Sequence, residues 1–218
     1  MIAPNYIDLF LCWCAFCFFH SFFAALWVKK IIAARTGKYF MYYRPLYAMA
    51  SLIFLIFLLL YQIEKKETVL FFVTPLVRAA SIVLIPGGLI LMGFSAFRYF
   101  VPVTGLSIFT KKKSSDGLLE IGIHGVIRHP LYAGTLLFIW GLFLIFPFTS
   151  NLISCIVITI YTFIGIKLEE KKLLLQYGKA YGQYRRRVPM MIPNLHLRSV
   201  LKVEFNKLLA RIAHKKTG

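Results

Sequence analysis

Five long apolar runs, separated by short polar stretches, constrain the fold of this chain more than any other feature. They cover residues 6–28, 45–62, 76–97, 131–146 and 152–166. Apolar runs of this length are typical of helices that cross a membrane, and 59% of the 218 residues are hydrophobic. The sequence therefore predicts an all-α integral membrane protein with about five transmembrane helices, folded as one membrane domain over residues 1–218.

The positive charge is distributed unevenly among the segments that connect these runs. With five spans, only Lys65, Lys66 and Arg78 of the 26 Lys and Arg residues fall on one side. Because cationic residues are retained in the cytoplasm, we expect the C-terminus to be cytosolic and the N-terminus outside, in a bacterial inner membrane. We expect no nucleic-acid partner, since no soluble domain remains to bind one, and interpret residues 196–216 as a basic amphipathic tail on the lipid surface.

The cysteines and an isolated histidine lie inside apolar runs. Cys14 and Cys17 form a C-x-x-C, but in an apolar run they are more typical of small buried hydrophobes than of a redox or metal pair. His20 is likewise more typical of a histidine paired with a neighbouring helix than of a catalytic one. The sequence predicts no metal site.

Two polar clusters flank the fourth and fifth runs. The first is Arg128–Gly134, with sequence RHPLYAG, and the second is Lys167–Lys172, with sequence KLEEKK. Ionisable groups at the edge of the hydrocarbon are costly, and Pro130 favours a helix that begins there. If the two runs form a hairpin, both clusters return to the same face and can form one site. Alternatively, they are a helix start with a snorkelling arginine and a solvated helix exit.

The connecting segments carry further predictions. We expect a basic loop over residues 29–44, and a kink or break at Pro86–Gly88 that leaves room for close packing. Residues 147–151 favour a hairpin turn in which Ser150 or Asn151 caps the next helix. That helix should continue out of the membrane and is followed by an extended segment, Val188–Pro193. The spacing of four aromatic and apolar residues predicts one shared face: Leu173, Tyr177, Tyr181 and Tyr184.

Chemically, paired carboxylates opposite Arg, His and Tyr side chains can hold a polar, partly cationic ligand. Glu169 and Glu170 point about 100° apart on a helix, so they are not expected to share one role. The sequence contains no metalloprotease motif, nucleophile elbow or phosphate-binding loop, which argues against those enzyme classes.

The segments that carry these clusters resemble a known family. Residues 122–134 resemble the R-H-P-x-Y-x-G signature of the isoprenylcysteine carboxyl methyltransferase and phospholipid methyltransferase superfamily. Residues 168–193, with Glu169 and Glu170 followed by the regularly spaced tyrosines, are similar to the second signature of that superfamily. Together the matches cover about residues 118–193. His20-Ser21 and Tyr47 are similar to a bacterial branch that is methanethiol S-methyltransferase-like or NnrU-like.

This resemblance implies an S-adenosylmethionine-dependent membrane methyltransferase acting on a small thiol or a hydrophobic, lipid-like acceptor. It implies a site of three catalytic residues: Arg128, His129 and Glu170. It implies cofactor contacts from nine residues: His124, His129, Tyr132, Gly134, Glu169, Glu170, Tyr181, Pro189 and Ile192. Arg128 would hold a carboxylate of the donor or acceptor, Ile192 would wall the adenine, and His129 or His124 would take a thiol proton. His124 departs from the aromatic residue that the family often has there.

Two alternatives remain open from the sequence. One is a non-enzymatic multi-pass protein, such as a lipid or ion handling subunit, whose charges only set its topology. The other concerns the acceptor, for which prenylcysteine, phosphatidylethanolamine and a small thiol all fit. A hydrophobic acceptor is expected to reach the site laterally, past the small residues Gly93 and Gly134, with residues 188–193 closing over the donor.

The charge asymmetry generates a prediction about topology. Single cysteines introduced at Ser114 and Lys202 should be labelled from the same side of the membrane, and a cysteine at Glu64 from the opposite side. Membrane-impermeant labelling of intact cells measures this. Labelling at position 114 from outside would contradict the cytosolic orientation.

Overall fold

The structure is a computed structural model, and it describes residues 6–65, 68–103, 118, 120 and 122–193, with the backbone alone for residues 97–103. The predicted amphipathic tail, residues 196–216, lies outside these ranges, as does the lysine-rich segment 111–113. The described part of the chain is helical, and its only β feature is an isolated bridge between Val69 and Phe148. This confirms the prediction of an all-α multi-pass membrane protein.

Seven α-helices make up the described chain, with a 3-10 turn before the third and another before the fifth. Four helical stretches are long and apolar enough to cross a membrane, and the sixteen-residue fifth helix is a shorter apolar one. The helices are α1 Ile7–Ala24, α2 Leu26–Thr36, α3 Tyr43–Ile63, α4 Pro75–Val103, α5 Pro130–Ile145, α6 Thr149–Tyr177 and α7 Lys179–Arg187.

Residues 29–44 are more regular than the sequence prediction suggested. Most of the expected basic loop is helical, because α2 continues to Thr36 and a 3-10 turn then covers Gly37–Tyr42. α2 ends at its C-cap residue Gly37, which has a φ of 52°. A left-handed backbone favours glycine because other residues have a Cβ clash there.

One further expectation about local structure holds in part and one was wrong. α4 continues through Pro86–Gly88 without a break, but the close packing expected there is present, because Gly88 contacts α5. α6 begins at Thr149, with Phe148 as its N-cap residue and no side-chain cap. The Asn151 side chain instead donates to the carbonyl of Phe146 at 2.8 Å, which stabilises the turn before the helix.

The long helices contact one another in the spatial order α3, α1, α6, α5, α4. α1 runs parallel to α6 and antiparallel to α3, as three polar contacts show. Trp13 donates to Gln62 at 2.9 Å, and Gln62 donates to Asn151 at 2.6 Å. Near the other end, Ser21 is 2.9 Å from the Tyr161 hydroxyl. Hydrogen bonds of this kind hold helices together where lipid provides no hydrophobic drive.

α4 and α5 form the closest helix pair, and glycines make this possible. A Cβ placed at Gly88 would lie 2.7 Å from the carbonyl oxygen of Gly134, and one at Gly134 would lie 2.8 Å from that of Gly88. The two backbones are therefore in direct contact, as is typical of small residues at membrane helix interfaces. Gly93, in contrast, has no described atom within 4 Å of the position that its Cβ would take.

This contact changes what is expected of substitutions at these glycines. Gly134→Ala should destabilise the protein by about 1–3 kcal/mol, because overpacking forces the two backbones apart. Gly93→Ala should leave the stability unchanged, since no atom of the described residues lies within 4 Å of the added atom. Thermal unfolding in detergent compares the two variants. Equal stability would contradict the close packing of α4 on α5.

Candidate functional site

A cavity of about 400 Å³ lies where the start of α5, the end of α6 and α7 meet. Its volume is within the range of ligand pockets, roughly 300–1,000 Å³. The lining combines charged and polar side chains with aromatic and apolar ones. The lining residues are Ser95, Leu118, His124, Arg128, His129, Pro130, Leu131, Tyr132, Glu169, Leu173, Tyr177, Tyr181 and Tyr184.

His129 lies at the N-terminal end of α5, and the local sequence fixes its position. Pro130 occupies the first turn of the helix, so that His129 becomes the N-cap residue. Its side chain is 3% exposed and lies between two carboxylates: Nε2 is 3.2 Å from Glu170 and Nδ1 is 3.8 Å from Glu169. Because a carboxylate only accepts hydrogen bonds, Nε2 carries the proton that points toward Glu170. In the neutral ring, Nδ1 is then the basic nitrogen.

Arg128 connects α6 to α7 through a nearly buried side chain. Its Nε donates to Glu170 at 2.9 Å, and its Nη2 lies 2.7 Å from the same carboxylate oxygen. Its Nη1 donates to the carbonyl of Arg185 at 2.9 Å and also to the carbonyl of Val188. Each nitrogen of the guanidinium is thus in contact with a protein group. The structure therefore places Arg128 in a network that joins α6, α7 and the segment after α7.

The segment after α7 crosses beside the start of α5 and pairs with it through the backbone. The amide of Arg128 donates to the carbonyl of Pro189 at 2.9 Å, and that of His129 donates to the carbonyl of Met190 at 3.0 Å. We call Val188–Met190 the strap. Its backbone at Val188 is extended, as predicted. The strap and Arg128 together hold α7 against the cavity.

Tyr181 is the most deeply buried aromatic residue of the cavity wall. It is 1% exposed, and its hydroxyl has no hydrogen-bond partner among the described residues. Burial, with the Glu170 carboxylate nearby, raises the pKa of Tyr181 to about 12. The hydroxyl is therefore protonated at neutral pH and free to donate. A buried hydroxyl without a partner costs roughly 1–3 kcal/mol, which a bound ligand would recover.

The aromatic face predicted from spacing is present, although a helix break interrupts it. α6 ends at Tyr177, and Gly178 with a φ of 54° starts a new helix at Lys179. Tyr181, Tyr184 and Val188 still form one buried cluster, with Leu173 and Tyr177 packed on it. Tyr184 also donates to the carbonyl of His124 at 2.8 Å. The break therefore redirects the chain without removing its aromatic face from the cavity.

The two polar clusters come together as the sequence predicted. Five of the predicted site residues besides Arg128 line the cavity: His124, His129, Tyr132, Glu169 and Tyr181. Glu170 lies directly behind them, bonded to both Arg128 and His129. This juxtaposition requires α5 and α6 to form the predicted hairpin.

Three residues predicted to bind the cofactor lie elsewhere. Gly134 is buried against α4, Pro189 contributes its carbonyl to the strap, and Ile192 is 81% exposed. The sequence did not predict Ser95 of α4 as a lining residue, because a serine in a run of small residues is typical of a helix contact. In the structure its hydroxyl donates to the carbonyl of Leu91 within the helix.

A comparison with known proteins extends this geometry. A family model described as phospholipid methyltransferase matches residues 74–180. The chain is 33% identical over 118 residues to a methanethiol S-methyltransferase of Pseudomonas deceptionensis, which covers 50% of this chain and 42% of that protein. It is 43% identical over 67 residues to one of Crocosphaera subtropica, covering 31% of this chain and 26% of that protein.

A third relative is an O-methyltransferase, whereas the first two are S-methyltransferases. The protein-S-isoprenylcysteine O-methyltransferase of Schizosaccharomyces pombe is 38% identical over 90 residues, covering 39% of this chain and 37% of that protein. The chain thus spans less than half the length of the curated relatives it matches. No solved structure matches it significantly. The family match runs from α4 into α7 and contains both polar clusters, so in these segments the chain is similar to the phospholipid methyltransferases.

Proposed function

We propose that this protein is an S-adenosylmethionine-dependent membrane methyltransferase that acts on a small thiol or a hydrophobic acceptor. One observation carries the proposal. Both signature segments of the superfamily meet at a single cavity, with His129 of the first segment bonded to Glu170 of the second at 3.2 Å. Charged groups that served only to set topology would have no reason to converge on a cavity with buried walls.

The residues present fit such a donor. S-adenosylmethionine carries a sulfonium, an amine and ribose hydroxyls, and the Glu169 carboxylate on the cavity wall can accept from hydroxyls and amines. The hydroxyl of Tyr181, which has no hydrogen-bond partner in the described part of the chain, supplies a donor for a carboxylate or a ring nitrogen. Leu173, Tyr177 and Tyr184 offer the apolar and aromatic surface on which an adenine can rest.

When bound, this donor supplies an electrophilic methyl group, and the protein has to position it and remove water. Transfer moves positive charge away from the sulfur, so alignment in a dry cavity contributes more than a strong acid would. A thiol acceptor must also lose its proton. The Nδ1 atom of His129 is the candidate base, because Nε2 is held toward Glu170 and the resulting imidazolium would lie between two carboxylates.

Glu170 and Arg128 act on the site through other residues. Glu170 holds His129 in the tautomer that leaves Nδ1 basic, while Arg128 ties Glu170 to α7 and the strap. We therefore assign both as positioning residues. With the C-terminus in the cytosol, as the charge distribution predicts, this cavity opens to the compartment that contains the donor. A bacterial inner membrane fits that arrangement.

The decisive measurement is donor binding by the purified protein. Wild type should bind S-adenosylmethionine, and His129→Ala and Glu170→Ala should each weaken binding. The double variant should be far from additive, because the two side chains are in contact and share one function. Isothermal titration calorimetry on wild type, the two single variants and the double variant completes this double-mutant cycle.

Two outcomes would argue against the proposal. If wild type bound no donor and transferred no labelled methyl group to lipid, protein or volatile-thiol pools, the non-enzymatic interpretation would replace it. If the variants had small and additive effects on binding, the two clusters would not form one site.

The role assigned to Arg128 gives a second prediction. Arg128→Met should leave Glu170 without its closest cation and free the strap, so that amide exchange at Val188 and Met190 becomes faster. Donor affinity should fall at least tenfold, equivalent to about 1.4 kcal/mol. Arg186→Met is the matched control, because Arg186 is exposed on α7. Unchanged exchange in the strap with a loss of binding would indicate that Arg128 contacts the ligand directly.

A further inference from the structure

A surface with many cations lies at the end of the helix bundle that carries the cavity. Because α1 runs parallel to α6, the end of α1 and the start of α2 lie on the side where α6 leads to Glu169. Ala25, whose backbone is extended, separates α1 from α2. With 11 residues, α2 is about 16 Å long and does not cross a hydrocarbon core of roughly 30 Å. The charge distribution predicts that this side is cytosolic.

The composition of this surface is typical of a membrane interface. Residues 26–44 contain five Lys and Arg residues and no Asp or Glu. Trp and Tyr side chains are enriched at the depth of the lipid headgroups, and lysines beside them extend their charges toward the phosphates. The exposed large side chains of this segment are Leu26, Trp27, Ile31, Tyr39, Met41 and Tyr42. The surface therefore fits a headgroup layer that carries negative charge.

One hydrogen bond brings the start of α3 against the end of α1. The Tyr43 hydroxyl donates to the carbonyl of Phe23 at 2.7 Å. Arg44 directly follows Tyr43 in α3. Lys29 follows Phe23 by six residues and lies near the start of α2. Lys29 and Arg44 are therefore both at the junction of α1, α2 and α3.

A third cation reaches this junction from α6. The Tyr161 hydroxyl lies 2.9 Å from that of Ser21, which joins α6 to the same end of α1. Lys172 is 11 residues beyond Tyr161 and Lys29 is eight beyond Ser21. Both lysines thus lie roughly 12–16 Å further along the two parallel helices. At that level the charges of Arg44 and Lys172 are close enough to Lys29 to repel its charge.

Two of these three cations have no counterion in the described part of the chain. Neither Lys29 nor Lys172 forms an ion pair with any described residue. Lys29 is half-buried, so its charge is less well hydrated than that of an exposed lysine. Like charges held close together destabilise a fold. An anion bound between them would remove this repulsion.

We propose that Lys29, Arg44 and Lys172 form a binding site for the phosphate of an anionic phospholipid, in the leaflet on the cavity side. The site is separate from the cavity, since none of the three residues lines it. A lipid is the occupant because the exposed aromatic groups beside the cations place the site at headgroup depth. The headgroup joins α2 and α3 to α6, the helix that carries Glu169 and Glu170.

The dependence of stability on lipid charge tests this site. The full chain is melted in nanodiscs of phosphatidylcholine and in nanodiscs that contain an equal amount of phosphatidylglycerol. Wild type should have the higher Tm with phosphatidylglycerol, since an anion that binds only the folded protein stabilises it. Lys29→Gln should lose at least half of this increase. In phosphatidylcholine alone, it should melt at or above the wild-type Tm, because the substitution removes a repulsion.

Two further variants complete the comparison. Lys30→Gln is the matched control, because it removes the same charge from an exposed position that points about 100° away on α2. It should keep most of the increase. Lys172→Gln changes an exposed position on α6 and should lose as much of the increase as Lys29→Gln. The double variant of Lys29 and Lys172 should lose little more than either single variant, because both lysines hold one phosphate.

Four outcomes would overturn the site. An equal Tm of wild type in the two lipids would show that no anionic lipid binds. Equal losses in Lys29→Gln and Lys30→Gln would leave only a general attraction between a positive surface and a negative membrane. An equal increase from inorganic phosphate in phosphatidylcholine nanodiscs would make the ligand a free anion. A Lys29→Gln variant that melts well below wild type in phosphatidylcholine would make Lys29 a structural residue. None of these measurements involves the methyl donor, so they do not depend on the proposed function.

Discussion

The site depends on one nearly buried carboxylate, that of Glu170. It receives the guanidinium of Arg128 at 2.7 Å and the imidazole of His129 at 3.2 Å. Its side chain is 13% exposed and that of Arg128 is 8% exposed, so neither charge is well hydrated. A nearly buried ion pair adds little net stability, but loss of one partner leaves an uncompensated charge. The pair therefore fixes the relative position of α5, α6 and α7 more than it stabilises the fold.

A second constraint lies at the other face of α5, where glycine backbones contact α4. Because α5 is held there by direct contact of Gly88 with Gly134, the residues at its N-terminal end have little freedom to move. Interfaces of small residues provide this rigidity in membranes through dispersion contacts. Gly134 thus supports the site indirectly, because its contact with α4 fixes the helix that carries His129 and Tyr132.

Sequence reasoning predicted the helical fold and the meeting of the two clusters, because apolar length and hairpin geometry decide both. It assigned Arg128, Gly134 and Ile192 to ligand contacts for a different reason, namely their place in the signatures. Position in a motif does not distinguish a ligand contact from a contact that supports one. The contacts of Arg128 with α7 and of Gly134 with the backbone of α4 depend on the three-dimensional packing and could not be predicted from position in a motif.

The difference between Glu169 and Glu170 follows from the same geometry. On a helix, adjacent side chains point about 100° apart, and α6 turns Glu170 toward Arg128 and Glu169 toward the cavity. Glu170 accepts a hydrogen bond from Nε2 of His129. The basic nitrogen, Nδ1, then faces Glu169 at 3.8 Å. A histidine between two carboxylates would otherwise have no preferred tautomer. The unequal distances supply that preference, and they support a division in which Glu170 orients the base and Glu169 meets the ligand.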